Sequence, residues 1–202
     1  MTGNNMSSDR RNKKLMKYVL GKEGTKKKKS RKRRRIERLI ILVAAAIILG
    51  FAFVVFMFQT VKMVGPSMQG TVEDGETVVV SKIGKLLHGV KREDVVAVKK
   101  SSDKYYSIKR VVGVPGDKVK IDGGKLYING SIYELKSGDI IVNPGTASSE
   151  IELQDNEYFL LGDNVNNSDD SRFSNMGIVQ KNDITGIVVY RIKPWSKREK
   201  IK

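Results

Sequence analysis

With no cysteine and one histidine in 202 residues, the chain has no disulfide, thiolate metal site, cysteine nucleophile or two-histidine metal cluster to offer. Its length suits one domain with appendages. The formal charge of +16 suggests nucleic acid at first sight, but the excess is local. Residues 1–38 hold 16 Lys/Arg against Asp9, Glu23 and Glu37, a net of +13, while the remainder holds 22 basic and 19 acidic groups, a net of +3. The charge belongs to a tail, and no nucleic-acid partner is expected.

Residues 1–35 are polar and charged with little apolar content, which predicts a largely disordered segment. The tail, "GTKKKKSRKRRRIER", runs directly into "LIILVAAAIILGFAFVVFMF", residues 39–58. Twenty uncharged, mostly apolar residues at ~1.5 Å rise make a ~30 Å helix, the thickness of a bilayer's hydrocarbon core. A cleavable secretory signal has an apolar region of typically ~7–15 residues followed by a small-x-small site. Here the run is longer and "QTVKMVG" offers no such site, so the segment reads as a retained transmembrane anchor. Lys and Arg concentrate on the cytoplasmic side of such helices. The N-terminus is therefore expected inside and residues 59–202 outside the cell membrane. The basic run has the charge to grip anionic lipid, and a solvated tail that only sets topology is the alternative.

Beyond the anchor the pattern changes to short β-like runs separated by turn signals. "ETVVVSK" and "EDVVAVKK" are β-branched runs of strand length, and "YYSIKRVVGV" ends at the turn former "PGD". "DKVKIDGGKLYING" reads as a hairpin around Gly123-Gly124, and Asn129-Gly130 marks another tight turn before "SIYEL". "NEYFLLGDN" is a strand opening into a polar loop, and "DITGIVVYRIKPW" is a late strand stopped by Pro194. A short helix around 82–88 is the one candidate helix after the anchor. The fold class is mainly β: an antiparallel, barrel-like extracytoplasmic domain preceded by one transmembrane helix.

Without cysteine and with a lone histidine, nucleophilic catalysis would need Ser or Thr and an unusual base. His88, in "KLLHGVKRED", reads as a surface histidine with no acidic partner at triad spacing. Strand alternation sends Lys109 and Arg110 to opposite faces, so one of them faces inward if the sheet is covered on one side. A buried stem with a solvated ammonium is the ordinary outcome. At an unperturbed pKa of ~10.4, a lysine is neutral in only about one molecule in 2,500 at pH 7. Desolvation could lower that pKa by several units. The stretch "LGDNVNNSDDSRFSNMG", residues 161–177, is long enough between strands to be functional. Its hydroxyls and carboxylates could orient an amine, with Arg172 tying the loop down.

The anchor, followed in order by the serine segment "VKMVGPSMQG", the lysine strand and the acidic loop, resembles the type I signal peptidases, membrane-bound serine proteases with a Ser-Lys dyad. "GPSM" resembles the nucleophile box, "GETVVVSK" the next strand, "IKRVVGVPGD" the lysine box and "GDNVNNSDDSR" the closing acidic box. "GGKLYING" and "ITGIVVYRI" match the family's usual accompaniment.

The resemblance implies Ser67 as nucleophile, Lys109 as general base, and Ser168 hydrogen-bonding the lysine amine. It implies that Asp170 and Arg172 brace the loop in a salt bridge, that Asp163 and Asn164 shape its start, and that Met68 packs beside the lysine. The oxyanion would be held by the Ser67 N–H. Some relatives carry a hydroxyl at the position of Gly65, and the family commonly has proline at the position of Gly70. Shallow pockets are implied near Met63, Val64, Gly65 and Ile108, selecting Ala-x-Ala-type residues before the cut. The implied substrates are secretory preproteins, with no metal or cofactor. Ser67 lies nine residues beyond Phe58, at most ~30 Å of extended chain, which keeps it near the membrane that holds the substrate's own apolar segment. The lack of long insertions resembles the Gram-positive form.

Two other readings share parts of this pattern. Self-cleaving repressor-type proteases use the same dyad, but carry an N-terminal DNA-binding domain and cut an Ala-Gly bond, and no Ala-Gly occurs here. A membrane-tethered β binding domain without catalysis would leave Ser67 and Lys109 incidental.

Overall fold

The computed structural model describes residues 5–100 and 104–201, without the side chains of residues 5–8 and 22–29. Residues 1–4 of the predicted tail therefore lie outside the described residues. The chain divides into two compact units, Met1–Val54 and Val55–Lys202.

Helix α1 (Asn5–Met57) is 53 residues long and corrects two expectations. The basic segment is helical where the sequence suggested disorder, and the apolar helix ends at Met57, one residue before the predicted boundary. Low apolar content removes a reason to pack but not a reason to coil. Lys, Arg, Leu and Met are good helix formers and no proline interrupts them, so a helix nucleated in the apolar segment propagates backward. Arg33 and Glu37, one turn apart, pair at 3.0 Å. Within α1, Ser30–Met57 is long and apolar enough to cross a bilayer, and none of its most apolar window is buried against the protein.

Among the described residues the second unit holds twelve strands, one short α-helix and three single 3-10 turns; the strands and helix are β1 (Phe58–Lys62), β2 (Thr77–Ser81), α2 (Lys82–His88), β3 (Val95–Val98), β4 (Ser107–Gly113), β5 (Lys118–Asp122), β6 (Lys125–Ile128), β7 (Ser131–Tyr133), β8 (Ile151–Glu152), β9 (Glu157–Leu161), β10 (Val179–Gln180), β11 (Ile184–Lys193) and β12 (Glu199–Lys200). The larger, curled sheet runs β1-β2-β11-β3-β4-β9-β10, with β12 beside β11, and the smaller runs β7-β6-β5-β8. Every recorded pairing is antiparallel. This is the mainly β class read from the sequence.

The expected strands, the Gly123-Gly124 hairpin and the helix at 82–88 are all present. Ser81 caps α2, its Oγ accepting from the Gly84 N–H at 3.0 Å. The two-residue strands and β1 were not read from the sequence. Pairs of residues carry no period, and β1 continues without a linker from the apolar helix, which hides it.

Three apolar clusters fill the unit. One gathers Met63, Met68, Val72, Val78, Val80 and Ile108, and lies behind the segment that carries Ser67. A second centres on Phe159, Leu126 and Leu153, and a third on Val96, Val111, Leu160 and Ile184. Because clusters lie on both sides of the central strands, β3 is buried throughout and β4 almost throughout.

The C-terminal segment clasps the chain that follows Ser67. Arg191 donates to Glu76 at 2.7 Å, to the Lys197 carbonyl at 2.8 Å, to Glu199, and to the Thr71 carbonyl at 3.4 Å. Removing a partner of a buried ion pair strands the other charge. Arg191→Met is therefore expected to destabilise the protein by roughly 3 kcal/mol, measured by urea unfolding of the detergent-solubilised chain.

Candidate active site

Ser67 sits on a tight turn between β1 and β2. The Gly65 N–H donates to Asp74 Oδ1 at 2.8 Å and the Gln69 N–H to the Pro66 carbonyl at 3.0 Å, which fixes the chain on both sides of the serine. The Thr71 and Val72 N–H groups both donate to the Met68 carbonyl, and Met68 is fully buried in the first apolar cluster. Gly70 has φ +92°, a conformation closed to proline, whose ring holds φ near −65°. The departure from the family's usual proline is thus built into the local backbone.

Lys109 comes from β4, opposite Val96 of β3. Its Nζ lies 2.7 Å from Ser67 Oγ, 42 residues away in sequence. The residue is 5% exposed. Burial pushes its amine below the ordinary lysine range, against the opposing pull of Asp170 and Asp169.

The sequence expected one of Lys109 and Arg110 to face inward, and the structure buries both. Alternation still sends them apart, but β4 is covered on both faces. Arg110 is compensated by a two-pronged pair with Asp163, Nε to Oδ1 at 2.7 Å and Nη2 to Oδ2 at 2.8 Å. Thr71 Oγ1 donates to the same carboxylate at 2.5 Å. This pair joins β4, the start of the acidic loop and the segment after Ser67.

The acidic loop is anchored at its other end by Asp170 and Arg172, both almost wholly buried. Arg172 Nε and Nη2 reach Asp170 Oδ1 and Oδ2 at 2.8 and 2.9 Å, and the Gly162 N–H donates to Oδ2 at 3.1 Å. Arg172 also donates to the carbonyls of Asn143, at 3.1 Å, and Val165. The salt bridge expected within the loop is present. Asn164 closes the ring, its N–H donating to the Ser67 carbonyl at 3.0 Å and its Nδ2 to Gln69 Oε1 at 3.1 Å.

Ser168 differs from expectation. Its Oγ is buried with no hydrogen-bond partner among the described residues, and the Lys109 amine is engaged by Ser67 instead. A hydroxyl rotor is set by local packing, which a motif does not encode.

Between these groups lies Gly162, which the sequence reading passed over. A Cβ built there would stand 2.3 Å from Ser168 Oγ and 2.4 Å from the Ser67 carbonyl oxygen. Only hydrogen fits, and the glycine sets how closely the loop approaches the serine turn.

An open cleft of about 380 Å³ runs past Ser67 and Lys109, lined also by Val64, Gly65, Val98, Lys100, Asp169 and Met176. Two of the four residues expected to form pockets, Val64 and Gly65, do line it. Met63 and Ile108 do not: alternation turns Met63 away from Val64, and Ile108 away from Lys109, into the first apolar cluster. Val98, Ser107 and Met176 take their places along the wall, brought there by strand pairing and chain reversal that no local pattern records. His88 is exposed at the end of α2, outside this cleft.

A hydroxyl against a desolvated amine, at the edge of an open cleft in an antiparallel β domain, is an arrangement suited to peptide hydrolysis, and comparison with known proteins makes the chain a serine peptidase. Residues 35–195 match the family described as signal peptidase, peptidase S26, and the chain belongs to that family. It is 32% identical over 149 residues to signal peptidase I P of Bacillus subtilis subsp. natto, covering 70% of this chain and 80% of that one. It is 35% identical over 148 residues to signal peptidase IB of Staphylococcus aureus, covering 65% and 76%. A solved signal peptidase I from Enterococcus faecalis, 28% identical, overlays 48% of this chain and 95% of its own at a TM-score of 0.40.

Gly162→Ala is expected to lower peptide cleavage by ~10², since a displacement of about 1 Å at the Ser67–Lys109 pair is enough for such a loss. Cleavage of a fluorogenic peptide checks this, with circular dichroism to verify the fold.

Proposed function

We propose that the chain is a membrane-anchored endopeptidase that removes N-terminal signal peptides from translocated preproteins after Ala-x-Ala-like residues. Ser67 is the nucleophile and Lys109 the general base. The observation that carries this reading is the 2.7 Å approach of the buried Lys109 Nζ to Ser67 Oγ.

In its neutral form the amine takes the Oγ proton as Ser67 attacks the scissile carbonyl. The developing oxyanion is received by the Ser67 N–H and by a second donor from backbone or water, since Gly65 brings no hydroxyl. The protonated lysine then delivers its proton to the leaving amine. Water, activated by the same amine, hydrolyses the acyl-enzyme. Ser168, whose buried Oγ has no hydrogen-bond partner among the described residues, is available to bond the amine when Oγ of Ser67 is acylated. Asp170 with Arg172, and Asp163 with Arg110, fix the loop, and Asn164 and Met68 fix the serine turn. Val64 and Gly65, with Val98 and Met176, form the wall that admits small side chains. The basic tail faces the cytoplasm and has the charge to engage anionic lipid, the apolar part of α1 spans the membrane, and the β unit lies on the outer face.

Ser67→Ala and Lys109→Ala should each reduce processing of a model preprotein by ~10³-fold or more while the protein stays folded. Cleavage retained by Lys109→Ala would remove the dyad mechanism. Lys109→Arg should be equally inactive, because a guanidinium keeps its proton.

The depressed lysine has consequences for pH. Activity should rise with pH on a limb that lies below the ordinary lysine value of ~10.4, as burial makes the amine lose its proton earlier. The folded-state pKa lies below the unfolded one, so below the folded value the buried ammonium weakens the fold by its full amount. That penalty fades as pH climbs toward the unfolded value. Lys109→Met should therefore be more stable than wild type near neutral pH, by about 1.4 kcal/mol for each unit of depression. The advantage should shrink as the pH approaches ~10, read from melting temperatures across the range.

A further inference from the structure

The acidic loop carries two adjacent carboxylates with opposite fates. Asp170 is fully buried and spent on Arg172 and the Gly162 N–H. Asp169 is exposed and lines the open cleft together with Lys109. The chain reverses directly afterwards, the Phe173 N–H donating to the Asp170 carbonyl at 2.9 Å and the Gly177 N–H to the Phe173 carbonyl at 2.7 Å. That reversal returns Asn175 to the same wall, where its Nδ2 donates to Asp169 Oδ2 at 3.0 Å. A neutral group thus holds the carboxylate in place, and Oδ1 has no hydrogen-bond partner among the described residues.

The dyad itself does not cancel this charge. Lys109 acts as base only when neutral, and in that form it offers Asp169 no counter-ion. Lys100, the other lysine lining the cleft, donates to the Met176 carbonyl. Val96 is the partner of Lys109 across β3 and β4, and Lys100 lies four residues beyond Val96, up to ~13 Å along the chain.

Asp169 also faces a definite part of a bound peptide. When Lys109 hands its proton to the leaving amine, that nitrogen must come within ~3 Å of Nζ. The charges of Asp170 and Asp169 both act on this same Nζ, against the stronger influence of burial. The substrate residues nearest Asp169 are therefore those that begin the released product. The apolar wall of Val64, Val98 and Met176 is left to the residues before the cut.

We propose that Asp169 determines specificity downstream of the cut, favouring Lys or Arg and disfavouring Asp or Glu at the start of the product. The proposal deepens the reading of Ser67 and Lys109 as the dyad and rests on it. An exposed carboxylate gains modestly from a cation and loses a similar amount against a like charge. Together these give about a fivefold preference for Lys over Glu at low salt. Screening weakens it as salt rises.

The test uses the full chain in non-ionic detergent. Three fluorogenic peptides share one Ala-x-Ala sequence and carry Lys, Gln or Glu immediately after the cut. Wild type should rank them in that order by kcat/KM, with a span that shrinks toward about 1 M salt, where screening acts within ~3 Å. Asp169→Asn should abolish the span and Asp169→Lys should reverse it. Each span compares peptides on one enzyme, so a change in Lys109 basicity or in the fraction folded cancels. Equal rates on all three peptides with wild type, or a span that survives Asp169→Asn, would overturn the proposal. So would a charge preference that appears only when the same three residues are placed at x, before the cut. Binding of the labelled peptides to Ser67→Ala, read by fluorescence anisotropy, should follow the same order. A wild type that cleaves none of them would sink the proposed function, and the binding order would still decide the charge preference.

Discussion

Everything at the site depends on keeping the Lys109 amine out of water while leaving it one hydroxyl to face. An exposed lysine is protonated in nearly every molecule at neutral pH, and a buried one works against the fold until something nearby holds it there. Here it is held by strand pairing on both sides of β4 and by the turn that presents Ser67. Asp169 and Asp170 pull the other way, favouring the charged form. The amine is therefore poised by a balance in which burial is the larger influence.

The surrounding architecture divides that burden between two buried Arg–Asp pairs. Asp163–Arg110 lies at the start of the acidic loop and Asp170–Arg172 at its end. Each arginine spends its donors on both a carboxylate and backbone carbonyls, so neither charge is left unmatched in a dry environment. Between the two clamps the loop can be brought close to Ser67 only because Gly162 has no side chain and Asn164 offers its N–H. Substituting the chemistry of the dyad and substituting the geometry of its supports are thus different experiments on one object.

Much of this was legible in the sequence. Strands announced themselves by β-branched runs between turn formers, and the serine, lysine and acidic segments by their order. Other features depend on what covers what. Burial of both Lys109 and Arg110 requires knowing that β4 is central, a fact of topology. Met63 and Ile108 belong to the core because alternation puts their neighbours, not them, on the cleft. The basic segment reads as disordered by composition, yet it has no proline to stop a helix already nucleated next door, and Gly21 and Gly24 only weaken that helix. Gly162 and Thr71 were invisible because their importance lies in partners that are far away along the chain.

The 2.7 Å spacing carries one more chemical implication. An ester on Ser67 would sit within bonding distance of an uncharged amine, and migration of the acyl group from oxygen to nitrogen would leave an amide that the enzyme could not clear. On the proposed mechanism, repeated turnover therefore demands that the lysine lone pair be aimed at water rather than at the acyl carbon once the ester forms. Electrophiles built to relax that aim would convert a transient adduct into a permanent one.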